Sequence, residues 1–391
     1  MINTKIKDKR NCAGCYACVN KCPQKCISMK IDKEGFWYPE VDNNKCMKCG
    51  NCIDVCPVIN KTTGQKDLLA YACVNKDEPT RMNSSSGGIF TLLAEQILRD
   101  KGVVFGARFN EKFEVEHSYI ESKEDISRFQ GAKYVQSKIG KTYKQAKEFL
   151  EKGRKVLFTG TPCQIGGLRS YLKKNYKNLF CVDIVCHGVP SPVVWKKYLE
   201  YREEIAQSSI KKICFRDKQA GWKSSSISFW FLNNKKYQSI HNKDPYMIAF
   251  LKNICLRPSC YVCQFKDLYG QGDITLGDFW GIENILPNLD DNKGVSLVLV
   301  NSDNGKDIFK KIQDKTLYYK VNLDDAILYN SPIIKSVNYN PKREKFLKEL
   351  DLIKFDELVK KHCSDSLSVI IFKKVKHLLH VVLLKCKLLF K

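Results

Sequence analysis

Cys12-Ala-Gly-Cys15-Tyr-Ala-Cys18-Val-Asn-Lys-Cys22-Pro23 and Cys46-Met-Lys-Cys49-Gly-Asn-Cys52-Ile-Asp-Val-Cys56-Pro57 carry one spacing twice, C-x2-C-x2-C-x3-C-P. The spacing has a chemical cause. A tight turn brings three thiolates onto one cube of iron and sulfur, and the fourth cysteine leaves on a short helix to ligate the other cube. Cys12, Cys15, Cys18 and Cys56 are therefore expected to hold one [4Fe-4S] cluster, and Cys46, Cys49, Cys52 and Cys22 the second. Paired C-x-x-C also makes zinc sites, but duplicated four-cysteine runs, each closed by proline, favour iron and sulfur. The crossing ties together residues 1–60, a domain too small for a proper core, and the clusters supply much of its stability. Between the runs, Gly35-Phe-Trp-Tyr-Pro39 reads as part of a hairpin. Cys26 lies outside the register and reads as structural.

The chain has 391 residues and nineteen cysteines, nine of them in the first 56 positions. The stretch Met1 to Asn11 is polar and basic, without the apolar core of a secretory signal, and no run of 18 apolar residues follows. Many cysteines without export indicate metal or redox chemistry rather than disulfides, so a cytoplasmic location is expected. The formal net charge is +24. Such a surface suits an acidic redox partner, anionic cofactors or an anionic membrane, or is simply a solvated lysine-rich face. The lysines are spread along the whole chain without a recognition motif, so no nucleic-acid partner is expected.

Beyond a polar linker at Asn60–Asp67, strands are expected at 68–73, 103–107, 156–159 and 179–185, with helices at 89–99, 141–152 and after Pro162. This alternation predicts an α/β body (mixed α+β overall) with its chemistry at strand ends. The Ser/Gly-rich run Ser84–Gly88 feeds a helix N-terminus and offers backbone N–H groups to an anion, though an ordinary capped helix reads the same way. Pro162 at the first helical turn puts Cys163 at the positive end of a helix, where a thiolate is favoured as nucleophile or ligand. Cys255, Cys260 and Cys263 are compatible with zinc, a third iron–sulfur cluster or no metal; with Cys163 they make four thiolates, and Cys186 is the reserve for the fourth position. Cys73, Cys181 and Cys214 read as core.

Taken in order, Ser84–Gly88, Gly131-Ala-Lys-Tyr-Val-Gln-Ser137, Thr159–Gln164, Cys186-His-Gly188, Cys260–Cys263 and Gly277–Gly281 resemble the family of coenzyme F420 hydrogenase/dehydrogenase beta subunits. More narrowly, the chain resembles bacterial members with an N-terminal dicluster ferredoxin domain. The resemblance spans about residues 1–335, with the family's N-terminal region at 68–150 and its C-terminal region at 151–335. It implies FAD and an additional iron–sulfur cluster, with the deazaflavin F420 used by archaeal members. Carried over by position, it implies Ser85, Gly87 and Gly88 at the flavin phosphates and Lys133, Tyr134, Val135, Gln136, Ser137 and Thr161 along the same cofactor. Cys163, Cys255, Cys260 and Cys263 are its candidates for the extra cluster. The substrate does not carry over.

Residues 336–391 are expected to form a helical tail. From Ser366 to Lys391 there are six lysines and no acidic residue; Ile371, Val375, Leu378, Leu379, Val382, Cys386 and Leu389 fall on one helical face, while Val381, Leu384 and Leu388 stray into the polar arc. This is a basic amphipathic helix, read either as a peripheral membrane contact or as a docked terminal helix with a solvated face. Clusters move single electrons while organic substrates usually take two, and a flavin converts between them. The expected function is thus an iron–sulfur flavoprotein oxidoreductase that takes electrons from an acidic ferredoxin-type donor and passes them to an unidentified small molecule. A non-catalytic electron carrier or adaptor is the alternative, and a flavin-free relic kept for assembly a third. His187 and Asp278 are the polar candidates for proton transfer.

Overall fold

Val103-Val-Phe, Val156-Leu-Phe and Leu179-Phe-Cys-Val are apolar at every position, a pattern stable only in strands covered on both faces. The computed structural model describes residues 1–61 and 68–364. In chain order the strands are β1 (Ile27–Ile31), β2 (Trp37–Val41), β3 (Leu69–Asn75), β4 (Val103–Phe109), β5 (Val115–Ile120), β6 (Val156–Gly160) and β7 (Leu179–Ile184). They continue as β8 (Ile210–Asp217), β9 (Ser226–Phe231), β10 (Lys236–Ile240), β11 (Ile274–Asp278), β12 (Ser296–Val300) and β13 (Thr316–Val321). The large sheet runs β13-β3-β12-β11-β7-β6-β4-β5. It is parallel from β4 through β6 and β7 to β11 and antiparallel at its remaining contacts. Because β3 lies between β12 and β13, segments 68–150 and 151–335 build one sheet together.

Side chains alternate across this sheet. Val104, Leu157, Phe180 and Val182 pack with Ile89, Leu93 and Ile97 of the helix Ile89–Arg99. Phe105, Val156, Phe158 and Cys181 point the other way, onto Tyr143, Leu150, Ile165 and Leu168 of the helices Thr142–Glu151 and Pro162–Leu172. Each such Leu, Ile or Phe contributes roughly 1.5–3 kcal/mol by burial. Tyr16, Ala17 and Val55 of the N-terminal domain join this second cluster, so that domain is packed into the body.

A second, antiparallel sheet, β10-β9-β8, encloses an aromatic core of Trp195, Tyr198, Phe215, Phe229 and Tyr246. Phe346, Phe355, Leu358 and Cys363 close the same core, so the helices Arg343–Lys348 and Phe355–Cys363 belong to the body. The amphipathic helix expected at 366–391, with its membrane reading, lies outside the described residues. Among the described residues no helix is long and apolar enough to cross a membrane.

The N-terminal domain is fastened by an ion pair between buried Arg343 and partly exposed Glu34. Arg343 donates from Nη1 and Nη2 to Glu34 Oε1 and Oε2 at 2.8 and 2.5 Å, and from Nε to Leu256 O at 3.0 Å. Glu34 lies in the turn between β1 and β2, the hairpin read from the sequence, and Ser191 Oγ donates to its carbonyl.

Candidate functional site

The two N-terminal cysteine runs fold onto each other. Cys12, Cys15, Cys18 and Cys56 line one cavity of ≈ 350 Å³, and Cys22, Cys46, Cys49 and Cys52 line a second of ≈ 360 Å³, both volumes including the open mouth. Cys22 and Cys56 therefore stand in the cavity of the other run, the exchange that the spacing demands. Cys26 is also in the second wall, its Sγ 3.4 Å from that of Cys22. Burial pushes the Cys15 thiol well above its ordinary range and the Cys26 thiol up to about 12.

A third cavity, ≈ 830 Å³ with its mouth, opens at the C-terminal ends of β6 and β7. Adjacent parallel strands end at the same sheet edge, which is why Cys163 after β6 and Cys186 after β7 meet there. Cys260 and Cys263, at the one-turn helix Pro258–Val262, complete a set of four. That turn is tied on by Arg257 N donating to Val189 O at 3.0 Å and by a bridge between Pro190 and Leu256.

Cys255 does not join this set. It is fully buried in the aromatic core, and its thiol is pushed up by burial and then by Cys363. Cys186 occupies the fourth position instead. Thr161 and Gln164 form a capping box at the Cys163 helix, and burial pushes the Cys163 thiol to about 12, with Cys263 adding to it. Burial likewise raises Cys186 and Cys260 to about 12. Such thiols stay protonated unless a metal displaces the proton.

Among the described residues, no three His, Cys, Asp or Glu side chains are gathered closely enough to hold a single metal ion. The cysteines stand round cavities, and each cavity presents at least four sulfur donors, with Cys26 a fifth in the second. That donor set fits [4Fe-4S].

His187 and Asp278 lie in different places. His187 lines the third cavity and donates from Nε2 to Asn253 Oδ1 at 2.7 Å, and burial lowers its pKa from the ordinary imidazole value. Asp278, at the end of β11, pairs with Arg216 Nη1 at 3.0 Å, and Arg216 also reaches Tyr134 Oη at 3.4 Å. Arg216 is 7% exposed, yet among the described residues its Nε and Nη2 have no hydrogen-bond partner, and neither has Trp222 Nε1. Trp222 stacks on the half-exposed Trp280 at 4.7 Å, with the Arg216 guanidinium 5.6 Å from the Trp280 ring. Orphaned buried donors beside an aromatic pair fit an anionic, planar ligand. Phe250 separates the two places, its ring 5.0 Å from His187 and 4.9 Å from Tyr134.

The residues expected along a flavin divide accordingly. Thr161 lines the cysteine cavity. Ser85 Oγ accepts from Ala132 N at 2.6 Å, and Lys218 Nζ donates to the carbonyls of Arg81, Ser86 and Lys293, which brings the Ser84–Gly88 loop to the Arg216 side. Burial, then Arg81 and Arg216, lowers the Lys218 pKa to about 7. Gly87 has no room for a side chain: a Cβ would stand 2.3 Å from Cys73 O, so sheet packing requires this glycine. Gly88, at φ +85°, starts the helix. Lys133 Nζ is spent on three carbonyls, 129 to 131, and is lowered to about 8 by burial. Val135 is core, Gln136 accepts from Arg257, and Ser137 meets His117. Tyr134 alone of that run reaches Arg216. Arg216, Trp222, Lys218 and Arg257 were not read from the sequence, where isolated basic and aromatic residues carry no spacing signal.

Four-cysteine cavities of this kind define an iron–sulfur electron-transfer protein. Residues 11–60 match the 4Fe-4S dicluster domain, and residues 153–326 match the C terminus of the coenzyme F420 hydrogenase/dehydrogenase beta subunit. The dicluster match lies ahead of the beta-subunit match along the chain. An uncharacterized protein of Methanocaldococcus jannaschii is 23% identical over 364 residues, covering 83% of this chain and 92% of that one. The F subunit of the F(420)H(2) dehydrogenase of Methanosarcina mazei is 22% identical over 282 residues, covering 69% and 77%. A chain of the F420-reducing [NiFe] hydrogenase complex from Methanosarcina barkeri superposes with a TM-score of 0.46 at 17% identity, covering 71% of this chain and 97% of that chain. By the beta-subunit match and the dehydrogenase F subunit, the chain is related to subunits of oxidoreductase complexes.

Proposed function

We propose that this chain is an iron–sulfur flavoprotein oxidoreductase that accepts electrons from an acidic ferredoxin-type donor and delivers them to a small molecule. Cys12, Cys15, Cys18 and Cys56 would hold one [4Fe-4S] cluster, Cys22, Cys46, Cys49 and Cys52 a second, and Cys163, Cys186, Cys260 and Cys263 a third. A flavin would lie against Arg216, Tyr134 and Asp278, with the Ser84–Gly88 loop nearby. When bound, the clusters supply one-electron transfer and the flavin the exchange between one and two electrons.

The chain's own residues prepare these places. Arg216 offers two unpartnered N–H groups to an anionic ring or phosphate, and Asp278 fixes its guanidinium. Phe250 packs between His187 of the cysteine cavity and Tyr134. The formal charge of +24 would steer an acidic donor, with an on-rate that falls as salt rises. The observation that carries the reading is the third cavity: four cysteines from three segments meet there, and the rings of Phe250 and Tyr134 lead from its His187 to an arginine with orphaned donors.

The test is anaerobic purification of the full chain, followed by flavin analysis and addition of chemically reduced ferredoxin. About one flavin per chain, bleached by the ferredoxin, is expected. A full iron complement with no flavin bound or reconstituted would favour an electron carrier. The names of the relatives make coenzyme F420 the first acceptor to try.

A further inference from the structure

Arg257 is fully buried, and its guanidinium lies between two of the three cysteine sets. Nε donates to Cys12 O at 2.8 Å, Nη1 to Gln136 Oε1 at 3.1 Å and Nη2 to Trp37 O at 3.0 Å. The cation lies 4.3 Å from the Tyr38 ring centre. It is packed directly under the first cysteine turn, where a Cβ on Gly14 would stand 3.0 Å from its Cζ. The same side chain lines the third cavity with Cys163, Cys186, Cys260 and Cys263. Among the described residues no carboxylate is paired with it. Every hydrogen-bond acceptor it uses is neutral.

The two sets are close neighbours. Ala13, inside the Cys12–Cys15 turn, is part of the third cavity's wall. A Cβ on Gly167 would stand 2.9 Å from Cys15 Cβ and 3.1 Å from its Sγ. Gly167 follows Cys163 by four residues, just over one turn of the same helix, about 6 Å of rise. A single buried charge therefore acts on both.

We propose that Arg257 is a shared positioning residue whose uncompensated charge sets the reduction potentials of the iron–sulfur groups at Cys12/Cys15/Cys18/Cys56 and at Cys163/Cys186/Cys260/Cys263. This rests on the reading that both sets hold clusters. Reduction adds one electron to a four-thiolate group and makes it more negative, with no bond formed or broken and no proton moved. A fixed cation nearby favours that state, so Arg257 raises both potentials together. The set at Cys22, Cys46, Cys49 and Cys52 lies in the other N-terminal cavity, which Arg257 does not line, and serves as the internal reference. A unit charge within about 10 Å, at an effective dielectric of about 20, changes such an equilibrium roughly tenfold. For one electron that is about 59 mV.

The experiment is an EPR-monitored potentiometric titration of the anaerobically purified full chain, as wild type, Arg257→Gln, Arg257→Lys and Gln136→Glu. Wild-type iron content tests the underlying reading: about eight irons per chain would remove the third group and with it that reading. With about twelve irons, Arg257→Gln is expected to lower two potentials by about 59 mV and leave the third unmoved, and Arg257→Lys to restore most of the shift. If Arg257→Gln does not retain iron, the near-isosteric Gln136→Glu decides, because its carboxylate pairs the charge in place and should lower the same two potentials. Unmoved potentials in an iron-replete Arg257→Gln, or in Gln136→Glu, overturn the proposal. A uniform fall of all three does the same.

Discussion

Replacing Cys186 and Cys255 separately by alanine should give opposite kinds of damage. Cys186 lines the third cavity with Cys163, Cys260 and Cys263, so its loss leaves three sulfur donors for one cube. Iron should fall from about twelve to about eight per chain, since a [4Fe-4S] group needs its fourth ligand. Cys255 lines none of the three cavities and is fully buried beside Tyr246 and Cys363. Its truncation removes one methyl-sized group from a packed core and should cost about 1 kcal/mol. In a chain of this size that lowers the melting temperature by a few degrees, with iron unchanged. Iron and acid-labile sulfide on anaerobically purified variants, with a thermal melt of each, separate the outcomes. If Cys255→Ala loses about four irons and Cys186→Ala keeps all, the assignment of the third cavity is wrong.

Three more outcomes follow from the same contacts. Arg343→Met strands Glu34, which is 24% exposed on its side chain, and should cost about 3 kcal/mol, the low end for breaking a buried pair; an unchanged melting temperature would contradict the fastening role. Gly167→Val drives a branched side chain into Cys15 and the Tyr143 hydroxyl, and should cost about 1–3 kcal/mol while disturbing the EPR signal of the Cys15 cluster. His117 is buried, its Nε2 donating to Thr159 O at 3.0 Å and its Nδ1 accepting from Ser137 Oγ at 2.6 Å. Burial lowers its pKa from 6.5 to about 4, so between those values the unfolded chain binds a proton that the native chain does not. Stability should therefore drop by about 3 kcal/mol as pH falls from 6.5 to 4, and His117→Gln should flatten that slope by one proton in denaturation midpoints.

Much of the body was legible because its signals are local. The helix Ile89–Arg99 and strands β6 and β7 fall where apolar periodicity put them, within a residue or two. The paired cysteine runs are legible for a different reason, since their spacing is the ligand geometry itself. What stayed hidden depends on chain segments far apart. Cys255 precedes Cys260 by five residues and reads as its companion, but between them the chain leaves the aromatic core and turns at the Pro190–Leu256 bridge into the cavity. No pattern in the sequence marks that crossing. Gly87 read as an anion-binding glycine, whereas contact with the β3 carbonyl at Cys73 explains it. Arg257 and Arg216 are single basic residues in a chain of many, and only burial distinguishes them.

The most direct test of the account is iron and acid-labile sulfide per chain of the anaerobically purified wild-type protein, with alkylation of free thiols read out by mass spectrometry. Three four-cysteine cavities predict about twelve of each, with Cys163, Cys186, Cys260 and Cys263 protected from alkylation until the iron is removed. About eight of each, with those four cysteines alkylated in the iron-loaded protein, would contradict it.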